Sequence, residues 1–176
     1  YIVFQNACFL PESVPMSDYS SRAPAVATAV ALPATVYLIA MGAFALGMAS
    51  FVTAGLMPLI AGAFSVSVAM AAQLVTAFTL AYGLGSPLVV ALLPARAQRP
   101  GLLGALGVFV LANGASALAG DFAGLLLWRA VAGVGAGVYL ALGIAAAAGV
   151  AAAPQRGKAI AVIMGGMAGG TVLGVP

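Results

Sequence analysis

Long apolar stretches alternate with short breaks along this chain, and the breaks mark its elements. From residue 23 to residue 95 no position carries a charge. A membrane-crossing helix takes about 20 consecutive apolar residues, so this run holds more than one. Pro58 and the serines of GAFSVS (62–67) supply the only break signal inside it. The basic stretch PARAQRP (94–100) closes the next segment, the turn around Asp121 the one after, and AAAPQRGK (151–158) the fourth. The pattern predicts five spans, at about 33–58, 68–93, 101–119, 122–150 and 159–176.

Composition sharpens the class. Of 176 residues 64% are hydrophobic and 5% charged, where a soluble domain carries roughly 25% charged residues. Mean hydropathy is +1.19. A water-facing fold has no place for that much apolar surface. An outer-membrane barrel would show short alternating segments; here the runs are continuous and rich in alanine and glycine. The expected fold is all-α, a polytopic transmembrane helical bundle of about five spans, with the lipid bilayer as its surroundings.

The chemistry available is narrow. Cys8 is the single cysteine, histidine is absent, and the acids are Glu12, Asp18 and Asp121. An internal disulfide framework, a histidine-based triad, a zinc site and a carboxylate pair in the membrane all lack their residues. No enzyme activity, metal or cofactor is expected. A pI near 9.4 would point to nucleic acid in a soluble protein. Here five of the six basic residues sit in tails or short loops, and no nucleic-acid partner is expected. With five alternating spans, Arg22, Arg96, Arg99, Arg156 and Lys158 fall on one side, and the opposite loops carry no lysine or arginine. The positive-inside rule then puts the N-terminus and these loops in the cytoplasm, in the inner (cytoplasmic) membrane. The same count supports the break at 62–67, because merging the first two spans would scatter the basic loops onto both faces.

Residues 1–32 read as a cytoplasmic tail. YIVFQNACFLPESVP lacks an initiator methionine and a signal-peptide layout. MSDYSSRAP reads as a cytoplasmic start at Met16, which would leave 1–15 outside the fold; an ordinary tail is the alternative. At the other end GGMAGGTVLGVP stops at Pro176 without a charged or aromatic marker. The fifth span is then marginal in length, and the expectation is a truncated chain.

One charge lies inside a span. In LLLWRAVAGVGAG (125–137), Arg129 shares a helical stripe with Gly133 and Gly137, with Leu125 a turn earlier. Small residues at that spacing admit a second backbone. Arg129 therefore projects toward a helix–helix interface or a cavity, about 10 Å inside the span. An arginine there costs at least about 2.5 kcal/mol on insertion scales and is by default a functional site. The bland alternative is snorkelling to the near interface.

At these residues the chain resembles the major facilitator superfamily. Leu125, Arg129, Gly133 and Gly135 match its fourth-helix motif, with Ala132 where glutamine is common. FVTAGLMPLIAGAFSVSVAMAAQLVTAFTLAYGLGSPL is similar to the first and second helices of its drug:proton antiporter branch, the bacterial sugar- and chloramphenicol-efflux relatives especially. RGKAIAVIMGGMAGGTVLGVP looks like the start of the fifth helix, where the antiporter motif ends in Gly174-x-Pro176. The chain departs from the pattern at Ser50 and Leu59, where relatives often carry acids, and at Pro94, where the aspartate of the second loop falls. Arg96 and Arg99 remain there, without that acid.

The resemblance implies about five helices of the first half of an efflux transporter that alternates between inward- and outward-open states. The small-molecule substrate would be a drug or sugar. Protons would be a coupling partner by resemblance only, and the C-terminal half would be missing, leaving the piece inactive alone. Helices one, two, four and five would line the cavity, with Ser50, Thr53, Gln73 and Arg129 as candidate groups. For Ser50 and Thr53 a hydroxyl bonded to its own helix backbone is the alternative. Asn113 and Ser116 read as helix–helix contacts. The rivals are a non-transporting multispan subunit or scaffold, and an intramembrane enzyme, which lacks a nucleophile with a base.

Overall fold

A computed structural model describes residues 32–94 and 97–174. Residues 1–31 of the proposed tail, with its Met16 start and Arg22, and also Arg96 and Pro176, lie outside the described residues; Leu32 is buried in the core of the bundle. Helix α1 runs Ala34–Gly55, α2 Met57–Ala63, α3 Val68–Ala71, α4 Gln73–Leu80, α5 Ser86–Leu92, α6 Gln98–Ala117, α7 Phe122–Val150 and α8 Arg156–Gly174. A π-helical turn, Ala81–Gly85, joins α4 to α5, and a 3-10 turn, Ala153–Gln155, leads into α8. Among the described residues five helical segments are long and apolar enough to cross a membrane: Ala34–Gly55, Val68–Leu92, Gln98–Ala117, Phe122–Val150 and Ala153–Gly174. The chain is an all-α, polytopic membrane bundle, as its apolar pattern implied.

Several boundaries move, each for a local reason. The first span stops at Gly55 rather than 58, because Pro58 opens the separate short helix α2. Proline is tolerated in a helix's first turn, where its missing N–H costs nothing. The break at 62–67 is real: Ser65 takes a left-handed φ of 52°, and the Ser67 hydroxyl caps α3 by accepting the Met70 N–H at 3.1 Å. Pro100 likewise sits in the first turn of α6, so Arg99 is helical and not in a loop. Arg156 and Lys158 lie in the first turn of α8 for the same kind of reason: Pro154 begins the 3-10 turn ahead of them. The fifth span therefore has 22 residues, enough to cross, where the sequence pattern left it marginal.

Helix α7 is the axis of the bundle. Of its most apolar stretch 61% is buried, against at most 33% for the other spans. Its small residues explain why. A Cβ on Gly135 would lie 3.0 Å from the Ala105 carbonyl of α6, and one on Gly137 2.5 Å from the Ser86 Cβ of α5. Backbones that close pack through dispersion alone, the main attraction available between helices in lipid. Tyr139 ties α7 to α1 by donating its hydroxyl to the Ile39 carbonyl at 3.1 Å. Helices α1 and α8 form a second tight pair, in which Gly166, Gly170 and Gly174 face the carbonyls of Ala40, Phe44 and Met48. At one end of the bundle the Phe64 and Phe122 rings meet edge to face, 6.3 Å apart. This places the turn after α2 and the start of α7 together. Alternation puts Arg99, Arg156 and Lys158, all exposed, at the other end.

Candidate functional site

Arg129 is 4% exposed. It stands at the start of the third turn of α7, and two neighbouring side chains define its surroundings. The Phe78 ring of α4 covers the guanidinium face, with the Arg129 Cζ 5.1 Å from the ring centroid. Nη1 donates to Oδ1 of Asn113 on α6 at 3.4 Å. The Asn113 Nδ2 donates in turn to the Phe109 carbonyl at 2.7 Å, which orients the amide oxygen toward the arginine. Nε and Nη2 are buried with no partner. The head group thus does not snorkel; it is held between the second and third spans.

The motif glycines make this enclosure possible. A Cβ on Gly133 would strike the Phe78 carbonyl, and Gly137 lets Ser86 come in one turn further along. The Ser86 hydroxyl donates to the Tyr82 carbonyl at 2.6 Å beside the π-helical turn, a local rearrangement of a kind frequent at functional sites. Gly135 faces the opposite way, onto α6. Together they draw Phe78 and Asn113 to the arginine from two sides.

The compensation is incomplete. A hydrogen bond of 3.4 Å is at the long limit, and a desolvated cation–π contact contributes about 2 kcal/mol. Each buried donor left unpaired costs about 1–3 kcal/mol. No carboxylate offsets the charge: among the described residues Asp121, exposed at the start of α7, is the sole acid. Nor is there, among those residues, a group of three or more histidine, cysteine or acidic side chains able to hold a metal.

Two cavities flank Phe78 and Arg129. The larger, about 690 Å³, is lined by Arg129, Asn113 and Ser116 together with Thr53, Ile60 and Phe64. The smaller, about 170 Å³, lies among the first, second, fourth and fifth spans and is lined by Ser50, Phe51, Phe78, Tyr82, Leu140 and Met167 among others. Thr53 and Arg129 therefore share the larger cavity, which is walled by the first, third and fourth spans and α2 and not by the four spans expected, while Ser50 faces the smaller one among the first, second, fourth and fifth. The Ser50 hydroxyl donates to the Leu46 carbonyl at 2.7 Å, so its proton is engaged by its own helix and only its lone pairs face the cavity. Ser116 does the same toward the Ala112 carbonyl at 2.8 Å. Gln73 is exposed at the start of α4 and lines neither cavity. Gly174 packs α8 onto the Met48 backbone.

Asn113 is more than the helix–helix contact its sequence context predicted. Its signal was visible, a carboxamide in an apolar run. Phe78 gave none, because a phenylalanine in a membrane span reads as an ordinary apolar side chain.

The five-span helical bundle holds a buried, under-compensated arginine beside intramembrane cavities, and an ionisable residue at such a depth marks a functional site by default. The profile of the Major Facilitator Superfamily matches residues 39–176, and the chain belongs to this family. It is 34% identical to the inner membrane transport protein YdhP of Escherichia coli K12 over 138 residues, 78% of this chain and 36% of that protein. It is 36% identical to a chloramphenicol resistance protein of Streptomyces lividans over 145 residues, 82% of this chain and 37% of the relative. Identity to the uncharacterized MFS-type transporter YbcL of Bacillus subtilis is 30%, over 80% of this chain and 36% of the relative. The chain thus spans little more than a third of the length of these relatives. No solved structure matches it. Family and named relatives are transport or resistance proteins rather than enzymes, in line with the residue inventory.

Proposed function

We propose that this chain forms part of the first half of an efflux transporter for a small molecule, a drug or a sugar, coupled to protons in the full-length protein. The observation that carries the reading is Arg129: a cation buried in the membrane, incompletely partnered, in the wall of a cavity that Thr53 shares. A purely structural arginine would be paired or would reach the interface. The similarity to a chloramphenicol resistance protein supports efflux as the direction. Proton coupling rests on the family resemblance; among the described residues Asp121 is the sole acid. By itself the chain is not expected to transport, because alternating access needs a second half against which the first can rock. The N-terminus and the basic helix starts at Arg99, Arg156 and Lys158 lie in the cytoplasm, in the inner membrane.

The test is drug and sugar efflux from a bacterial host lacking its main efflux pumps and expressing the full-length gene. Energy-dependent efflux of a phenicol or a sugar analogue, collapsing with the proton gradient, supports the reading. Accumulation equal to that of the empty host, with the protein present in the membrane, would refute it.

A further inference from the structure

The walls of the smaller cavity define what fits it. It lies among the first, second, fourth and fifth spans and measures about 170 Å³. An apolar cavity of about 150 Å³ takes up a benzene molecule, so this one admits one small aromatic ring system. Phe51, Phe78, Tyr82 and Met167 offer ring faces and a thioether to such a guest. Among the described residues none that lines it carries a charge. Its polar groups are the hydroxyls of Ser50, Thr79 and Tyr82. Ser50 donates its proton to the Leu46 carbonyl at 2.7 Å, and Thr79 to the Val75 carbonyl at 2.8 Å. Both oxygens keep only lone pairs for a guest, so they accept and do not donate. Tyr82 belongs to the π-helical turn, its ring stacked on Phe78 with centroids 6.3 Å apart, and its hydroxyl can donate or accept.

We propose that this cavity is a subsite for an uncharged aromatic substrate bearing an N–H or O–H donor, with the ring among Phe51, Phe78 and Met167 and the donor on the Ser50 or Thr79 oxygen. This rests on the reading of the chain as part of a transporter, and it selects a ring-bearing drug over a sugar. A sugar brings several hydroxyls, and two acceptors and one phenol among apolar side chains leave most of them unpaired. A cation meets the charge of Arg129, whose Cζ lies 5.1 Å from the Phe78 centroid. A ring packed on Phe78 stands about 10 Å from that charge. At an effective dielectric constant of about 20, a like charge at that distance loses roughly tenfold in affinity. A carboxylate gains by the same factor but sheds its hydration against two oxygens that only accept, which is the larger effect.

Three bicyclic compounds of one shape test this. Indole has one N–H donor, benzofuran has an oxygen in its place, and isoindolinium is a cation. Each is dialysed to equilibrium against the purified full-length protein in detergent, with protein-free micelles as the blank. Indole should bind about three- to tenfold more tightly than benzofuran, the ratio one neutral hydrogen bond supports. It should bind about tenfold more tightly than isoindolinium. Ser50→Ala combined with Thr79→Val is nearly isosteric and removes both acceptors. In that double variant the ratio of indole to benzofuran affinity should fall to near one, whatever the absolute values. Equal binding of indole and benzofuran by the wild type, a preference that survives in the double variant, tighter binding of the cation, or no binding of indole overturns the proposal. Efflux of a sugar analogue in the host assay alongside any of those results would leave the transport reading standing and remove only this substrate class. The expected indole preference in a protein that exports nothing would do the reverse.

Discussion

Arg129 and Asn113 face one another across the α6–α7 contact, Nη1 to Oδ1 at 3.4 Å, and the asparagine is fixed there by its own bond to the Phe109 carbonyl. They are far enough apart in sequence that only helix packing pairs them. Removing the amide leaves a further buried guanidinium donor unpaired. Asn113→Ala is expected to destabilise the folded bundle by about 1–3 kcal/mol, read as a lowered Tm in detergent. Asn113→Asp supplies the missing countercharge and should melt above the alanine variant. An unchanged Tm in Asn113→Ala would show that the long bond contributes nothing.

Substitution of the arginine separates function from anchoring. Arg129→Ala is expected to abolish efflux with the protein still present in the membrane, and Arg129→Lys to impair it, since lysine lacks the planar fork. The measurement is efflux per transporter molecule, normalised to membrane protein level. Near wild-type efflux for both variants would reduce Arg129 to a structural side chain.

The glycine contacts predict where volume is not tolerated. Gly170 faces the Phe44 carbonyl of α1, and Gly133 faces the Phe78 carbonyl of α4. A methyl group at either position meets backbone, which cannot rotate away. Gly170→Ala and Gly133→Ala should each cost about 1–3 kcal/mol. Gly104→Ala, where nothing lies within 4 Å, should leave Tm nearly unchanged. Equal melting of all three variants would contradict the close α1–α8 and α4–α7 packing.

Sidedness is open to chemical labelling. With Cys8 replaced by serine, single cysteines at Gln98 and Gly120, both exposed and at opposite ends of the bundle, should react differently with a membrane-impermeant maleimide on intact cells. Gly120→Cys is expected to label and Gln98→Cys to be protected. The opposite result would invert the orientation.

Much of the fold was legible in the residues alone, because a span's existence depends only on local apolarity and length. The charge-free run, Pro58, and the basic clusters at Arg99 and Arg156 announce five spans without any knowledge of packing, and α7 begins and ends where its pattern says. Helix starts were less legible: Pro100 and Pro154 read as breaks, although a proline in a first turn begins a helix. The Arg129 stripe with Gly133 and Gly137 also followed from helical periodicity. What lies opposite that stripe did not. Neither the Phe78 ring over the guanidinium nor Asn113 at its end is encoded near residue 129, and Ser50 and Thr53, close in sequence, line different cavities. Those facts depend on which helices the glycines allow to touch. That choice is made by backbone-to-backbone fit over the whole bundle, because in lipid every helix is apolar and apolarity alone selects no neighbour.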